Sequence, residues 1–383
     1  MITMIKNGEV YAPEPLGKTS ILLIDQIIAR IGAIDEQAVA NIGVDYKVID
    51  AEGAVVVPGF IDPHVHLTGG GGEGGFATRT PEIQLSDIIQ SGITTAVGLL
   101  GTDGTTRHMT SLLAKARGLE EEGMTTFIYT GNYAVPTPTI TENVKNDVIL
   151  IDKVIGAGEI AIADSRSGQP SLHELAKLVA DARVGGMLSG KAGIAHFHTG
   201  PGKDYLSLLH QLLADYEIPA SQLYATHISR SRELFDDAIA LANKGAYVDI
   251  TAAEDTGKWI KYFKENGGDM RHLTLSSDGN GSLPKFDESG NLTGFGVAST
   301  RTLYQQVRAA VKNHGIALEE VVPLVTANTA AALKLGSKGD IKERNDADVL
   351  VLDKASLSIQ HVFAKGRHMI KDQELLVKGT FEA

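Results

Sequence analysis

His64-Val65-His66 stands at the end of the apolar run Ala54–Asp62. On a strand, residues two apart share a face, so both imidazoles point the same way and can grip one cation. The β-branched stretch Val55–Val57 favours a buried strand, and Gly69–Gly72 favours an open loop just beyond it. Two satisfied core histidines would show the same spacing, so the rest of the chain has to decide. Further donors stand on later strand-like runs: one begins with Glu159 and runs toward Asp164 and Arg166, and others end with His198, His227 and Asp278. In a barrel, C-terminal strand ends converge on one mouth. Four histidines (His64, His66, His198, His227) and two carboxylates (Glu159, Asp278) there suit two divalent ions, with zinc the best match to such donors. Two ions share a bridging hydroxide, a strong nucleophile at neutral pH. Asp278 is then the natural proton carrier between that nucleophile and a leaving amine. His196 shares a face with His198, but Thr199-Gly200 ends the strand there and favours His198. Ser276-Ser277-Asp278 also suits a helix cap or turn. Arg166 and Arg230 lie just past strand ends, which favours substrate contact over the usual solvated surface.

The elements that must position these groups alternate. Strands are read at Val55–Val65, Thr94–Leu100, Thr125–Gly131, Glu159–Asp164, Ala192–His198, Leu223–Ser229, Ala246–Thr251 and Leu273–Asp278. Amphipathic helices are read at Ser111–Gly123, Ser171–Arg183, Tyr205–Tyr216 and Arg232–Lys244, and a helix-like run at Ile149–Ile155. Strand and helix in alternation predict an α/β fold, a closed (β/α)8 TIM-type barrel over residues 58–339. Short strands near both termini, such as Ser20–Ile24, Gln26–Gly32, Asp348–Leu352 and His361–Gly366, predict one small β-domain from residues 1–57 plus 340–383. A doubly wound open sheet is the alternative, but it calls for a GxGxxG or GKS/T phosphate loop, and neither is present.

Composition narrows the function. The formal charge of −12 argues against nucleic acid, whose phosphates need a basic surface. With no cysteine, any metal must rest on histidines and carboxylates. No run suits a bilayer span and the first residues do not read as a signal peptide, so a cytoplasmic location is expected. The expected partners are a small-molecule substrate and further copies of the chain in a homo-oligomer, with no nucleic acid and no membrane.

The order HxH, single histidines after strands five and six, and an aspartate after strand eight resembles the amidohydrolase superfamily. Pro58–Asp62, Gly69–Glu73, Thr78–Glu82, Val97–Asp103, Ser276–Ser282 and Lys378–Glu382 bring it closer: together they resemble the bacterial isoaspartyl (β-aspartyl) dipeptidases. The resemblance implies a di-zinc peptidase that cleaves the isopeptide bond of isoaspartyl dipeptides. It implies that His64 and His66 bind one zinc, His198 and His227 the other, and that Asp278 binds the first and shuttles the proton. It further implies that Glu73 receives the substrate α-amino group, Tyr133 polarises the scissile carbonyl, and Arg166, Arg230 and Ser282 hold carboxylates. Members of the family bridge their metals with a carboxylated lysine at strand four. Counting back from Arg166, this chain has Glu159 there, and Glu159 is read as the bridge, helped by one extra residue in Ile155–Glu159. A dihydroorotase-like or hydantoinase-like hydrolase of cyclic amides or N-acyl amino acids is the alternative. A non-catalytic scaffold would have lost ligand positions that here are all competent.

Overall fold

The computed structural model describes residues 1–286 and 292–382. Eight parallel strands form one sheet in sequential order: Phe60–Val65, Ile93–Gly98, Thr125–Thr130, Val154–Ile162, Ile194–Thr199, Leu223–Thr226, Tyr247–Thr251 and Leu273–Ser276. Most of their residues are buried on both faces, because helices cover the outside and side chains fill the inside. The first and last strands meet through a parallel bridge between Val65 and Gly279. Asp62 strengthens the seam: its carboxylate accepts from Ser277 Oγ at 2.5 Å and from Ser277 N at 3.2 Å.

The helices return the chain to the next strand. Leu172–Ser189 shows how the local code works. Ser171 Oγ accepts from Glu174 N at 3.3 Å while Glu174 Oε2 accepts from Ser171 N at 2.8 Å, a reciprocal N-terminal cap. Leu175, Leu178, Val179 and Ala182 face the core, and Gly190 ends the helix at φ 72°. Ser171→Ala would cost about 1 kcal/mol through the lost cap.

A nine-stranded sheet collects strands from both chain ends, as expected. Val55–Pro58 pairs antiparallel with Val349–Leu352 and parallel with Ile2–Tyr11. Its core includes Ile5, Ile21, Val56, Val349 and Phe363.

Three readings need correction. Val55–Val65 is two strands in two sheets, with Gly59 at the crossing; a Cβ there would lie 2.2 Å from Thr94 Oγ1. The fourth barrel strand begins at Val154, so Glu159 lies inside it and not at its start. Ile149–Ile155 is not helical throughout: the helix Val144–Leu150 stops first, and buried Lys153 sits in the turn before the strand. Lys153 donates to Thr126 O at 3.1 Å and pairs with Glu120, at the start of the barrel strands and away from the histidines.

Candidate active site

The strand ends bring the expected donors together. Glu159 Oε1 lies 2.6 Å from His198 Nδ1 and 3.2 Å from His227 Nε2, and its Oε2 lies 3.5 Å from His64 Nε2. Asp278 Oδ1 lies 3.4 Å from His64 Nε2 and 3.1 Å from His66 Nε2. A β-bulge aims Glu159. Gly158 and Glu159 together oppose His196 alone in the pairing with the fifth strand, and such an extra residue re-aims a side chain. His227 and Asp278 stand just past their strands at φ 62° and 52°. Non-glycine residues in that region are uncommon and cluster at functional sites.

These residues fit divalent cations. Three sets, His64/His66/Glu159, Glu159/His198/His227 and His64/His227/Asp278, each place one ligand atom per residue within 4.8 Å of the others. Glu159 belongs to two of the sets. Nε2 of His64, Oε2 of Glu159 and Oδ1 of Asp278 are buried and have no hydrogen-bond partner among the described residues. Buried polar atoms left so are costly unless something else satisfies them.

The titration of the cluster follows from its burial and crowding. Burial opposes charge on His64, but Glu159 and then Asp278 carry its pKa up to about 9. Burial, reinforced by His198, pushes His227 down to about 3. Burial also works against the Glu159 carboxylate, yet His64 and His198 hold it well below the usual range. Opposed shifts among neighbours mark a site built around charge.

Every expected site residue except His64 lines one pocket at this mouth, and His64 is fully buried beneath it. Glu73 accepts from Thr102 Oγ1 at 3.1 Å, Arg166 Nη1 at 3.3 Å and Ser282 Oγ at 3.3 Å. Tyr133 OH lies 2.8 Å from His198 Nδ1, and the Arg166 guanidinium lies 5.3 Å from the Tyr133 ring centre. Arg230 lines the same pocket. One wall is the loop Gly69–Gly72. At Gly69, φ is 85° and a Cβ would meet Thr80 O at 2.4 Å, so only glycine suits that position.

Several supporting groups are not legible from motif spacing. Arg107, buried, donates to Thr68 O, to Gly70 O at 2.8 Å and to Thr80 O at 3.1 Å, and so pins the glycine loop. His196 Nε2 lies 2.8 Å from His64 Nδ1, and Thr251 Oγ1 lies 2.6 Å from His227 Nδ1, which orients both rings. Asp164 touches both His198 and Arg166. The strand-end sequence Asp164-Ser165-Arg166 was the available signal for it.

The model of the amidohydrolase family matches residues 55–369. The β-aspartyl dipeptidase of the thermophilic, keratin-degrading Fervidobacterium islandicum AW-1, solved with the β-Asp-Leu dipeptide, is 46% identical. The match covers 98% of each chain at a TM-score of 0.91. The dihydropyrimidinase of Brevibacillus agri NCHU1002 shares the fold at 18% identity and a TM-score of 0.60, over 99% of this chain and 97% of its own. Among curated relatives, a dihydroorotase of Halalkalibacterium halodurans is 38% identical over 103 residues, which are 27% of this chain and only 22% of that protein. An adenine deaminase of Staphylothermus marinus is 26% identical over 72% of this chain and 43% of its own length. The chain thus spans less than half the length of these curated relatives. The family match over most of the chain and the full-length similarity at 46% identity place it: the chain belongs to the amidohydrolase family and, within it, to the β-aspartyl dipeptidases.

Proposed function

We propose that the protein hydrolyses the β-aspartyl isopeptide bond of dipeptides, with two zinc ions per chain. The observation that carries the reading is the pocket's charge pattern. One carboxylate, Glu73, and two guanidiniums, Arg166 and Arg230, surround a mouth whose floor is the His/Glu/Asp cluster. A β-aspartyl dipeptide carries one ammonium and two carboxylates, which is the complementary set.

His64, His66 and Asp278 would hold one cation, His198 and His227 the other, and Glu159 would be shared between them. Cations held there supply a Lewis acid and an acidified water. The chain's own groups do the rest. Glu73 receives the ammonium in place of its contact with Arg166 Nη1, and the freed Nη1 donates to a substrate carboxylate with Arg230 and Ser282. Tyr133 donates its hydroxyl hydrogen toward the scissile carbonyl oxygen. Its own ionisation is held well above the usual range, chiefly by burial and then by Glu159, so it acts as a donor. Asp278 accepts a proton from the attacking water and passes it to the leaving amine.

The cyclic-amide alternative has less support. The dihydroorotase similarity is confined to about a quarter of the chain, and a cyclic amide needs no receptor for a free amine. The test is direct: purified protein should cleave β-Asp-Leu but not α-Asp-Leu, and lose the activity to a chelator. Equal turnover of both isomers, or none of the β form with zinc supplied, would refute the reading.

A further inference from the structure

We propose that Asp164 is a positioning residue that ties His198 to Arg166, so that one carboxylate sets both a metal ligand and a substrate-binding arginine. The inference rests on the dipeptidase reading for Arg166, but its part at His198 needs only the metal cluster.

The Asp164 side chain is 2% exposed. Its Oδ1 accepts from Arg166 N at 2.8 Å and Arg166 Nε at 3.0 Å, and its Oδ2 accepts from Arg166 Nη2 at 2.8 Å. The planar fork is held at both tines, which fixes its direction as well as its charge. The same Oδ2 lies 3.1 Å from His198 Nε2. An ionised carboxylate only accepts, so His198 Nε2 carries the proton. Arg166 Nη2, which gives one of its two hydrogens to Oδ2 at 2.8 Å, also lies 3.2 Å from His198 Nε2, so the three groups pack as one cluster. His198 Nδ1 faces the donor cluster, 2.6 Å from Glu159 and 2.8 Å from Tyr133, so it is the atom a cation there would take, which leaves the Nε2 hydrogen to Asp164. A carboxylate that sets the tautomer of a ligating histidine raises its basicity and fixes its ring.

The backbone is shaped around this group. Ala163 before it has φ 51°. A Cβ at Gly200 would come within 2.4 Å of Asp164 Cβ, and one at Gly202 within 2.5 Å of Ala163 O. Two glycines thus leave room for the turn that presents Asp164.

The test uses zinc-loaded wild type, Asp164→Asn and Asp164→Ala, with zinc transfer to a chromogenic chelator as the readout besides activity. Both variants should hold the His198-side zinc about 10–100-fold more weakly, the range for lost support of a metal ligand. KM for β-Asp-Leu should rise about tenfold or more, well beyond any change in kcat, because Arg166 loses its anchor. In an Arg166→Ala background the KM effect of Asp164→Asn should vanish while the zinc effect persists. Zinc transfer and KM both within about twofold of wild type in Asp164→Asn would overturn the proposal. If Asp164→Ala fails to fold, the isosteric Asp164→Asn decides. If wild type does not cleave β-Asp-Leu, the dipeptidase reading falls, and zinc transfer still judges the hold on His198.

Discussion

Glu159→Gln removes one buried charge while keeping the side chain's volume, and its consequences can be worked from the geometry. In wild type, His64 Nε2 lies 3.5 Å from Glu159 Oε2, and Glu159 is the foremost group raising the His64 pKa to about 9. In metal-free protein at pH 7 that imidazole is protonated. A cation that takes His64 as a ligand must first expel the proton. With the pKa raised to about 9, this lowers the apparent affinity at pH 7 by about two orders of magnitude. The sign follows: wild-type zinc affinity should climb about tenfold per pH unit from 7 toward 9, then level off. Glu159→Gln removes the main cause of the raised pKa, so the climb should flatten. Absolute affinity should nevertheless fall at pH 9, by at least the roughly 10–100-fold seen when only a supporting group is lost, because the variant lacks the carboxylate that belongs to two donor sets. The assay is competition with a chelator of known affinity across that range, together with bound metal per chain. Wild type should recover two zinc ions in bicarbonate-free buffer, since Glu159 needs no carboxylation. Two metals bound with wild-type affinity in Glu159→Gln, a pH-independent wild type, or a bicarbonate requirement would refute the reasoning.

Asp278→Asn should keep most of the metal but lose kcat by about two to four orders of magnitude, the range for a general acid–base group; stopped assays with metal analysis check this. Glu73→Gln should weaken productive binding of β-Asp-Leu by about 1.5–3 kcal/mol through loss of a charge-assisted contact. Blocking the substrate amine should then add little to that loss, and a fully additive effect in steady-state kinetics would count against Glu73 as the amine receptor.

The barrel was legible because its strands are short, apolar and β-branched, and because amphipathic helices separate them. The errors have one source. Val55–Pro58 and Phe60–Val65 are both buried throughout, so no alternation marks where the chain leaves one sheet for the other. Only the pair Pro58-Gly59 marks the crossing, and the glycine's reason is a close approach to Thr94, a residue far along the chain. The run before Glu159 failed likewise. A short apolar segment does not distinguish strand from helix, and the helix Val144–Leu150 ends without a glycine or proline to announce it.

The candidate site divides along a similar line. His64, His66, His198, His227 and Asp278 could be nominated because strand ends in a barrel share one mouth, and that is a property of topology. How those groups are held depends on pairings distant in sequence. His64 faces His196, Asp164 reaches across to His198, and Glu73 meets Arg166, with separations of 132, 34 and 93 residues. Motif spacing carries no information about such contacts. The bulge at Glu159 is the informative middle case. One extra residue is visible when Ile155–Glu159 is counted, and the strand pairing shows what the extra residue does locally: two residues oppose one, and the carboxylate turns toward three histidines. A lysine carbamate would stand on a longer arm than a glutamate. On this chain a shorter arm stands on a bulged strand, so backbone geometry and side-chain length change together. Glu159→Lys on the unaltered bulge should therefore overshoot and recover the site poorly even with bicarbonate.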